Sequence, residues 1–443
     1  MLKNLLLVLL LTIGVILRFY RFDSPVLDWH SFRQVDTLSV TRNVQNGTGS
    51  FFIPTYHDLS NLQSGLENPK GYRMVEIPIY NQLSVWASNF TKLPIEQSSR
   101  LVSIILSLLS AILIFKITKN IWSFAVFLLL PFNIFYNHTT LPENLAVFCL
   151  VATLFFLPKN IFFSSIFFAI GLLIKPYIAI LLFPIYTYFF FKSKQKIIFI
   201  IFTLLSFLPF IIWRNHISNF PEGIPVYKWL FQQGFAGESF VVGRPYWFRW
   251  LFYERIGQLI CGVTLIIPLL ISLKDKINIL YGLGIILYFA IMARGNVQHD
   301  YYQVLIIPFL AILIGYGLKK LNIILSIILL TISIFLSWQK VKEYYKINQP
   351  ELIYAGWVSN NLLPKNALVI APHTGDTGLL YQINRNGWPL EQYEIDKLKT
   401  SYNNPIYLVT VNNDKYANIM KEKYKSLVIE KDLIILDLQQ TNP

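Results

Sequence analysis

The sequence predicts an α-helical polytopic membrane protein of about eleven spans that ends in a small α/β domain. Three observations carry this. The 443 residues are 54% hydrophobic, 16% aromatic and only 14% charged, which lies outside the range of ordinary soluble domains. Apolar runs recur along most of the chain, and every second gap between them holds a short lysine cluster. After Trp338 the pattern changes to short runs of β-formers separated by polar helical stretches.

The formal net charge of +14 belongs to the same picture. Lysine is retained on the cytoplasmic side of multi-span proteins, where it also attracts anionic lipid. No long basic tract or nucleic-acid motif is present, so nucleic acid is not an expected partner. Cys149 and Cys261 both lie inside apolar runs and form neither a disulfide framework nor a metal cluster.

The first run, 5–17, follows Lys3 and is succeeded by Arg18 and Arg21 rather than by a small-residue cleavage site. It reads as an uncleaved span with the N-terminus in the cytoplasm. A large external loop, 21–100, follows, broken by Pro25, Pro54 and Pro69. Within it the run 77–90 is too short for a crossing and contains Asn81, Gln82 and Ser84, so an interfacial or re-entrant segment is expected. Counting it as a crossing would place almost every lysine cluster outside.

The next runs alternate in direction. Residues 101–115 lead in to Lys116 and Lys119, 121–136 lead out to His138 and Glu143, and 145–157 lead in to Lys159. Residues 161–174 reach Lys175-Pro176 outside, and 177–191 return to Lys192, Lys194 and Lys196. Residues 197–213 open a second external loop, 214–255. Runs 256–273, 277–292, 301–318 and 321–338 complete the set, with Lys274, Lys276, Lys319 and Lys320 inside. Residues 1–340 thus form the expected membrane domain. Residues 341–443 form the extracytoplasmic domain, with strands at 367–371, 406–411, 426–429 and 433–438 and helices at 351–362 and 416–424. The TGDTG run at 374–378 lacks phosphate-loop spacing and reads as a turn.

This topology gathers charge on one face. The stretch 28–43, DWHSFRQVDTLSVTRN, holds two carboxylates, a histidine and two arginines. Drawn as a helix, it puts His30, Arg33, Gln34, Thr37 and Thr41 on one stripe, with Asp36 near Arg33. The alternative is a charged helix lying at the lipid headgroups. Glu76, Glu143, Lys175, Arg244, Arg249, His299 and Asp300 fall on the same outer face. A charge near bilayer depth costs about 2.5–3.5 kcal/mol, so such groups pair or line a wet cavity; a shared external cavity accounts for them together. Carboxylates there can serve as general base to an acceptor hydroxyl, and Arg or Lys can hold a phosphate leaving group.

The order of these features is similar to that of the polyprenyl-phosphate-sugar-dependent glycosyltransferases, the protein O-mannosyltransferase and lipid A aminoarabinose transferase group with the GT-C membrane fold. The features are HSFRQVDT in the first loop, Glu76-Ile-Pro78, the external acid in LPENL, Lys175-Pro176, and His299-Asp-Tyr-Tyr302. The resemblance implies an inverting, metal-independent transfer of sugar from a polyprenyl-phosphate donor to a glycan, lipid or protein acceptor. It further implies that an Asp of the first loop acts on the acceptor. Where the family carries Asp-Glu this chain has Arg33-Gln34, which leaves Asp36, preferred, or Asp28. Glu76 and Glu143 correspond to further acidic positions, and the base that can follow Glu76 is replaced by Ile77, with Lys70 or Arg73 as substitutes. Lys175 corresponds to a lysine near the carrier phosphate, and a loop arginine is expected among Arg244, Arg249 and Arg255. Arg33 is expected to hold the phosphate with Lys175 and that loop arginine, and His30, Gln34, His299, Asp300 and Tyr302 complete the expected substrate-binding set.

A rival reading is a flippase, transporter or polymerase of lipid-linked saccharides. A transporter places its ionisable groups near mid-membrane in broken helices. Here they collect at one face, which favours an enzyme.

Overall fold

The computed structural model describes residues 2–231, 249–391, 393–411, 415–430 and 432–442. They form two compact units: Met1–Phe22, Gln97–His216 and Tyr227–Tyr345 in the first, and Asp23–Glu96, Ile217–Val226 and Lys346–Pro443 in the second. The chain passes from the first unit to the second at Tyr345/Lys346, near the expected boundary at 340, and most of the first long loop also belongs to the second unit.

The first unit is a helical bundle. Among the described residues, four helices are long and apolar enough to cross a membrane: Ile95–Thr118, Lys196–Ile217, Asp300–Lys319 and Ile323–Tyr345. Their burial separates two roles. Asp300–Lys319 is almost wholly enclosed, whereas Lys196–Ile217 leaves Ile197, Leu204 and Ile211 exposed, as a helix facing lipid does. Four further apolar helices, Glu143–Phe156, Ile161–Ile174, Ile178–Lys192 and Lys276–Ile291, lie on predicted runs. A 14-residue helix is only about 21 Å long against a hydrocarbon core of roughly 30 Å, so these segments are short for their expected crossings.

Two expected crossings are not single helices. The run 121–136 is split into Ile121–Leu129 and Pro131–Tyr136, since proline at the head of a helix has no N–H to continue the preceding one. The carbonyls freed at the break are bonded: Arg18 donates to Leu128 O at 3.0 Å and Asn133 Nδ2 to Phe127 O at 2.6 Å. Arg18, expected just beyond the first span, is therefore fully buried as the satisfier of a helix end. The run 256–273 is likewise interrupted. A π-helix, Arg249–Ile260, is followed by a turn in which Gly262 and Val263 both have positive φ, then by Ile266–Ser272.

The second unit is built on a five-stranded mixed sheet of order β2-β1-β3-β5-β4. The strands are β1 Leu368–Ile370, β2 Gly387–Trp388, β3 Ile406–Val411, β4 Tyr424–Glu430 and β5 Leu433–Thr441. β1 runs parallel to β2 and β3, and β5 runs antiparallel to β3 and β4. Alternate residues feed two cores. Val369, Val409 and Ile435 pack with Leu352, Ala355 and Leu379 on one face. Ile370, Leu408 and Leu436 pack with Trp388, Ala417 and Met420 on the other. With both faces covered, β3 is buried throughout and reads as a continuous apolar run.

The first long loop belongs to this sheet. Leu27 and Leu59 enter its two cores, and residues 57–59 pair with β2: Gly387 N donates to His57 O at 2.9 Å and Leu59 N to Gly387 O at 2.8 Å. A Cβ on Gly387 would stand 1.7 Å from Val369 O, so only glycine allows this close pairing. Arg42 fastens the same unit, with its guanidinium 3.8 Å above the Tyr381 ring and 3.1 Å from Glu96.

Candidate active site

The stretch 28–43 is a helix, Ser31–Asn46, and residues 33–41 along it are all buried. A helix at the headgroups would keep one face wet; this one is enclosed by its own unit. Asn81, from the helix Ile79–Thr91, donates to Thr37 O at 2.8 Å and Thr41 Oγ1 at 2.9 Å, which satisfies the polar stripe.

Asp36, Arg33, Arg73 and Glu76 line one narrow cleft, with Thr37, Asn81 and Pro78. Asp36 Oδ2 stands 3.0 Å from Arg73 Nη2 and Oδ1 accepts from Thr377 Oγ1 at 2.8 Å. Arg33 pairs with Glu76. Two acids and two guanidinium groups alternate here, each carboxylate oriented by a cation. Arg73 reaches the cleft through a tight local pairing in which Tyr56 N bonds Gly71 O and Arg73 N bonds Pro54 O. Gly71 supplies the turn at φ +62°, where a Cβ would lie 2.6 Å from Tyr56 O. The Tyr56 ring lies 5.1 Å from the Arg73 guanidinium.

The neighbouring acids are differently placed. Asp28 accepts from Gln34 Nε2 at 2.6 Å, and neither residue lines the cleft. His30 is the helix N-cap with φ 55°, so it leaves the expected stripe, because a left-handed residue breaks the helical register. Lys70 is exposed, and of the two substitutes expected for Ile77 it is Arg73 that lines the cleft. Asp58 is buried beside Tyr56 and Ser60, and loss of hydration raises its carboxyl above the usual range. His57, buried against Tyr381, is pushed down to about 3 by burial and then by the charge of Arg42.

The first unit holds a second set. Glu143 opens the helix Glu143–Phe156, Lys175 caps Ile161–Ile174, and their charged atoms stand 2.8 Å apart with both side chains buried. Lys175 Nζ lies 5.9 Å from the Tyr302 ring centre. Asp300, fully buried, sits 3.2 Å from Arg255 Nη1 and accepts from the Tyr136 and Tyr344 hydroxyls. Of the three candidate loop arginines, Arg255 is thus built into the bundle. Arg249 is exposed, 3.8 Å from Glu254, and Arg244 lies outside the described residues. His299 stacks on Tyr301 at 5.3 Å and meets Trp229 edge-on at 5.6 Å.

The expected residues therefore divide between the units, with Asp28, Asp36, Arg33, Arg73 and Glu76 in the second and Glu143, Lys175, Arg255, Asp300 and Tyr302 in the first. Sequence reasoning missed Thr377, Tyr136 and Tyr344. Thr377 lay in a run read only as a turn, and two tyrosines among 25 carry no signal of their own.

A bundle of apolar helices bearing buried ion pairs and a unit that combines the first long loop with a small C-terminal sheet make up a GT-C-like fold, as comparison with solved structures shows. The chain is similar to the crystal structure of ArnT from Cupriavidus metallidurans bound to undecaprenyl phosphate, at 11% identity and a TM-score of 0.62 over 97% of each chain. The apo state of that protein matches at 10% identity and a TM-score of 0.64 over 98% of each chain. The Archaeoglobus fulgidus oligosaccharyltransferase in complex with zinc and sulfate matches at 10% identity and a TM-score of 0.55, over 92% of this chain and 68% of that one. At these identities the likeness is one of fold. No family model and no curated protein sequence matches the chain.

Proposed function

We propose that this chain is a membrane glycosyltransferase that moves a sugar from a polyprenyl-phosphate carrier to a hydroxyl of a lipid, glycan or protein at the outer face of the cytoplasmic membrane. The observation that carries the proposal is the Asp36 carboxylate, held in a cleft by Arg73 and Thr377. The fold shared with a protein solved in complex with undecaprenyl phosphate supports the donor class. In this reading the N-terminus is cytoplasmic and the sheet-bearing unit is outside.

The acceptor oxygen attacks the anomeric carbon, the bond from that carbon to the phosphate oxygen breaks, and polyprenyl phosphate leaves. Asp36 orients the acceptor hydroxyl and receives its proton. Arg33 and Glu76 bind polar groups of sugar or acceptor beside it. Taken by itself, the first unit offers Lys175 and Arg255 as the cations we assign to a carrier phosphate, rather than a divalent ion. Glu143 and Asp300 hold those cations in place between turnovers.

The test is to supply purified protein in vesicles with labelled sugar on polyprenyl phosphate and a mixture of hydroxyl acceptors. Release of free polyprenyl phosphate with label on the acceptor supports the reading. Movement of intact donor across the bilayer without transfer would replace the enzyme by a flippase.

A further inference from the structure

The first unit contains a second cavity that the transfer chemistry does not use. Its volume is about 400 Å3, and it lies where Glu143–Phe156 turns into Ile161–Ile174 and Ile178–Lys192 turns into Lys196–Ile217. Phe189, Phe199 and Ile198 give it apolar walls, while Lys159 and Lys192 stand among its lining residues.

Among the described residues neither lysine is in an ion pair; Lys159 Nζ lies 3.0 Å from the Phe155 ring centre and Lys192 Nζ 4.5 Å from that of Tyr188. The sequence holds no Asp or Glu from 97 to 142 or from 144 to 221, so the one acid on the helices that build the cavity is Glu143, at the opposite end of its helix and paired with Lys175. Lys116 and Lys119 add to the excess: after desolvation, their charges lower the Lys159 ammonium. Converging like charges are relieved by an anion. The surface beside the cavity is apolar, with Phe162, Phe163 and Ile197 exposed. A soluble anion has no use for such a border, whereas acyl chains do.

We infer that this cavity binds the phosphate headgroup of an anionic phospholipid, with Lys159 and Lys192 on the phosphate and Phe189 and Phe199 against the upper acyl chains. The lipid is a resident of the bundle and not the sugar donor. A basic pocket between membrane helices is a recognised form of headgroup site.

The test places the full chain in phosphatidylcholine nanodiscs containing graded phosphatidylglycerol and counts retained lipids by native mass spectrometry. Three proteins are compared: the parent chain, the double variant Lys159→Ala/Lys192→Ala, and Lys274→Ala/Lys276→Ala, which removes equal charge elsewhere. The parent is expected to keep phosphatidylglycerol with about tenfold preference over phosphatidylcholine, the first variant to lose that preference and the second to retain it. Equal loss in both variants would mean diffuse attraction to the membrane and overturn the site. So would retention in all three. Equally tight binding of soluble glycerol phosphate would remove the lipid as occupant. Because lipid retention is read without turnover, failure here leaves the transferase assignment standing.

Discussion

Asp36 and Arg73 meet at 3.0 Å inside the cleft of the sheet-bearing unit, 37 positions apart in sequence and brought together by the turn at Gly71. The planar guanidinium fixes the carboxylate's direction, which a flexible ammonium does less well. Arg73→Lys is therefore expected to keep the protein folded and to lower transfer by about tenfold, with Arg73→Gln losing about a hundredfold. Initial rates across acceptor concentration check this; unchanged kcat in Arg73→Gln would detach the arginine from catalysis.

Thr377 holds the other oxygen of Asp36. A hydrogen bond to a charged group contributes about 1.5–3 kcal/mol, so Thr377→Val should slow transfer by roughly tenfold or more, and Thr377→Ser should restore most of it. Failure of the serine variant to recover would mean that the methyl group, not the hydroxyl, matters.

Lys175 and Glu143 form a buried pair. Removing one partner strands a charge at a cost of about 3–5 kcal/mol. Lys175→Met should thus lower the melting temperature of the detergent-solubilised protein, and Lys175→Met/Glu143→Leu should recover much of it. Neither variant should transfer sugar. Full activity in the double variant would remove Lys175 from the donor phosphate.

His57 makes the second unit sensitive to acid. Its folded pKa, about 3, lies below the ordinary 6.5. The neutral ring is thus compatible with full stability above pH 6.5, and stability is lost as pH falls from there toward 3, at up to about 1.4 kcal/mol per pH unit. The raised carboxyl of Asp58 works in the opposite sense, so the histidine's share is read as the difference between the parent and His57→Gln over the interval from pH 7.5 to 5.5. Amide exchange of β1 and β3 in the full chain should rise over that interval, and His57→Gln should flatten the dependence.

Much of this architecture was legible in the residues. The strand at 406–411 and the helix at 351–362 occur at the expected bounds, because β-branched runs and flanking Pro350 and Pro364 are local signals. The helix through Asp36 followed from spacing alone. Partner choice did not: Thr377 and Asp36 are separated by 341 positions, and nothing local couples them. The two-residue strand β2 was missed, since its pairing rests on Gly387 admitting a neighbour's backbone. The break at Pro131 was written in the sequence and was overridden by the hydropathy of the run around it. Asp28 and Asp36 were equal in chemistry; only the fold turned Asp28 to Gln34 and Asp36 into the cleft.

The most direct measurement is a side-by-side assay of sugar transfer from polyprenyl phosphate by Asp36→Asn and Asp28→Asn, each verified as folded by melting and by retention of the parent's elution volume. The expected result is loss of transfer by about a hundredfold or more in Asp36→Asn with Asp28→Asn close to the parent chain. Undiminished transfer by Asp36→Asn would contradict the account at its centre.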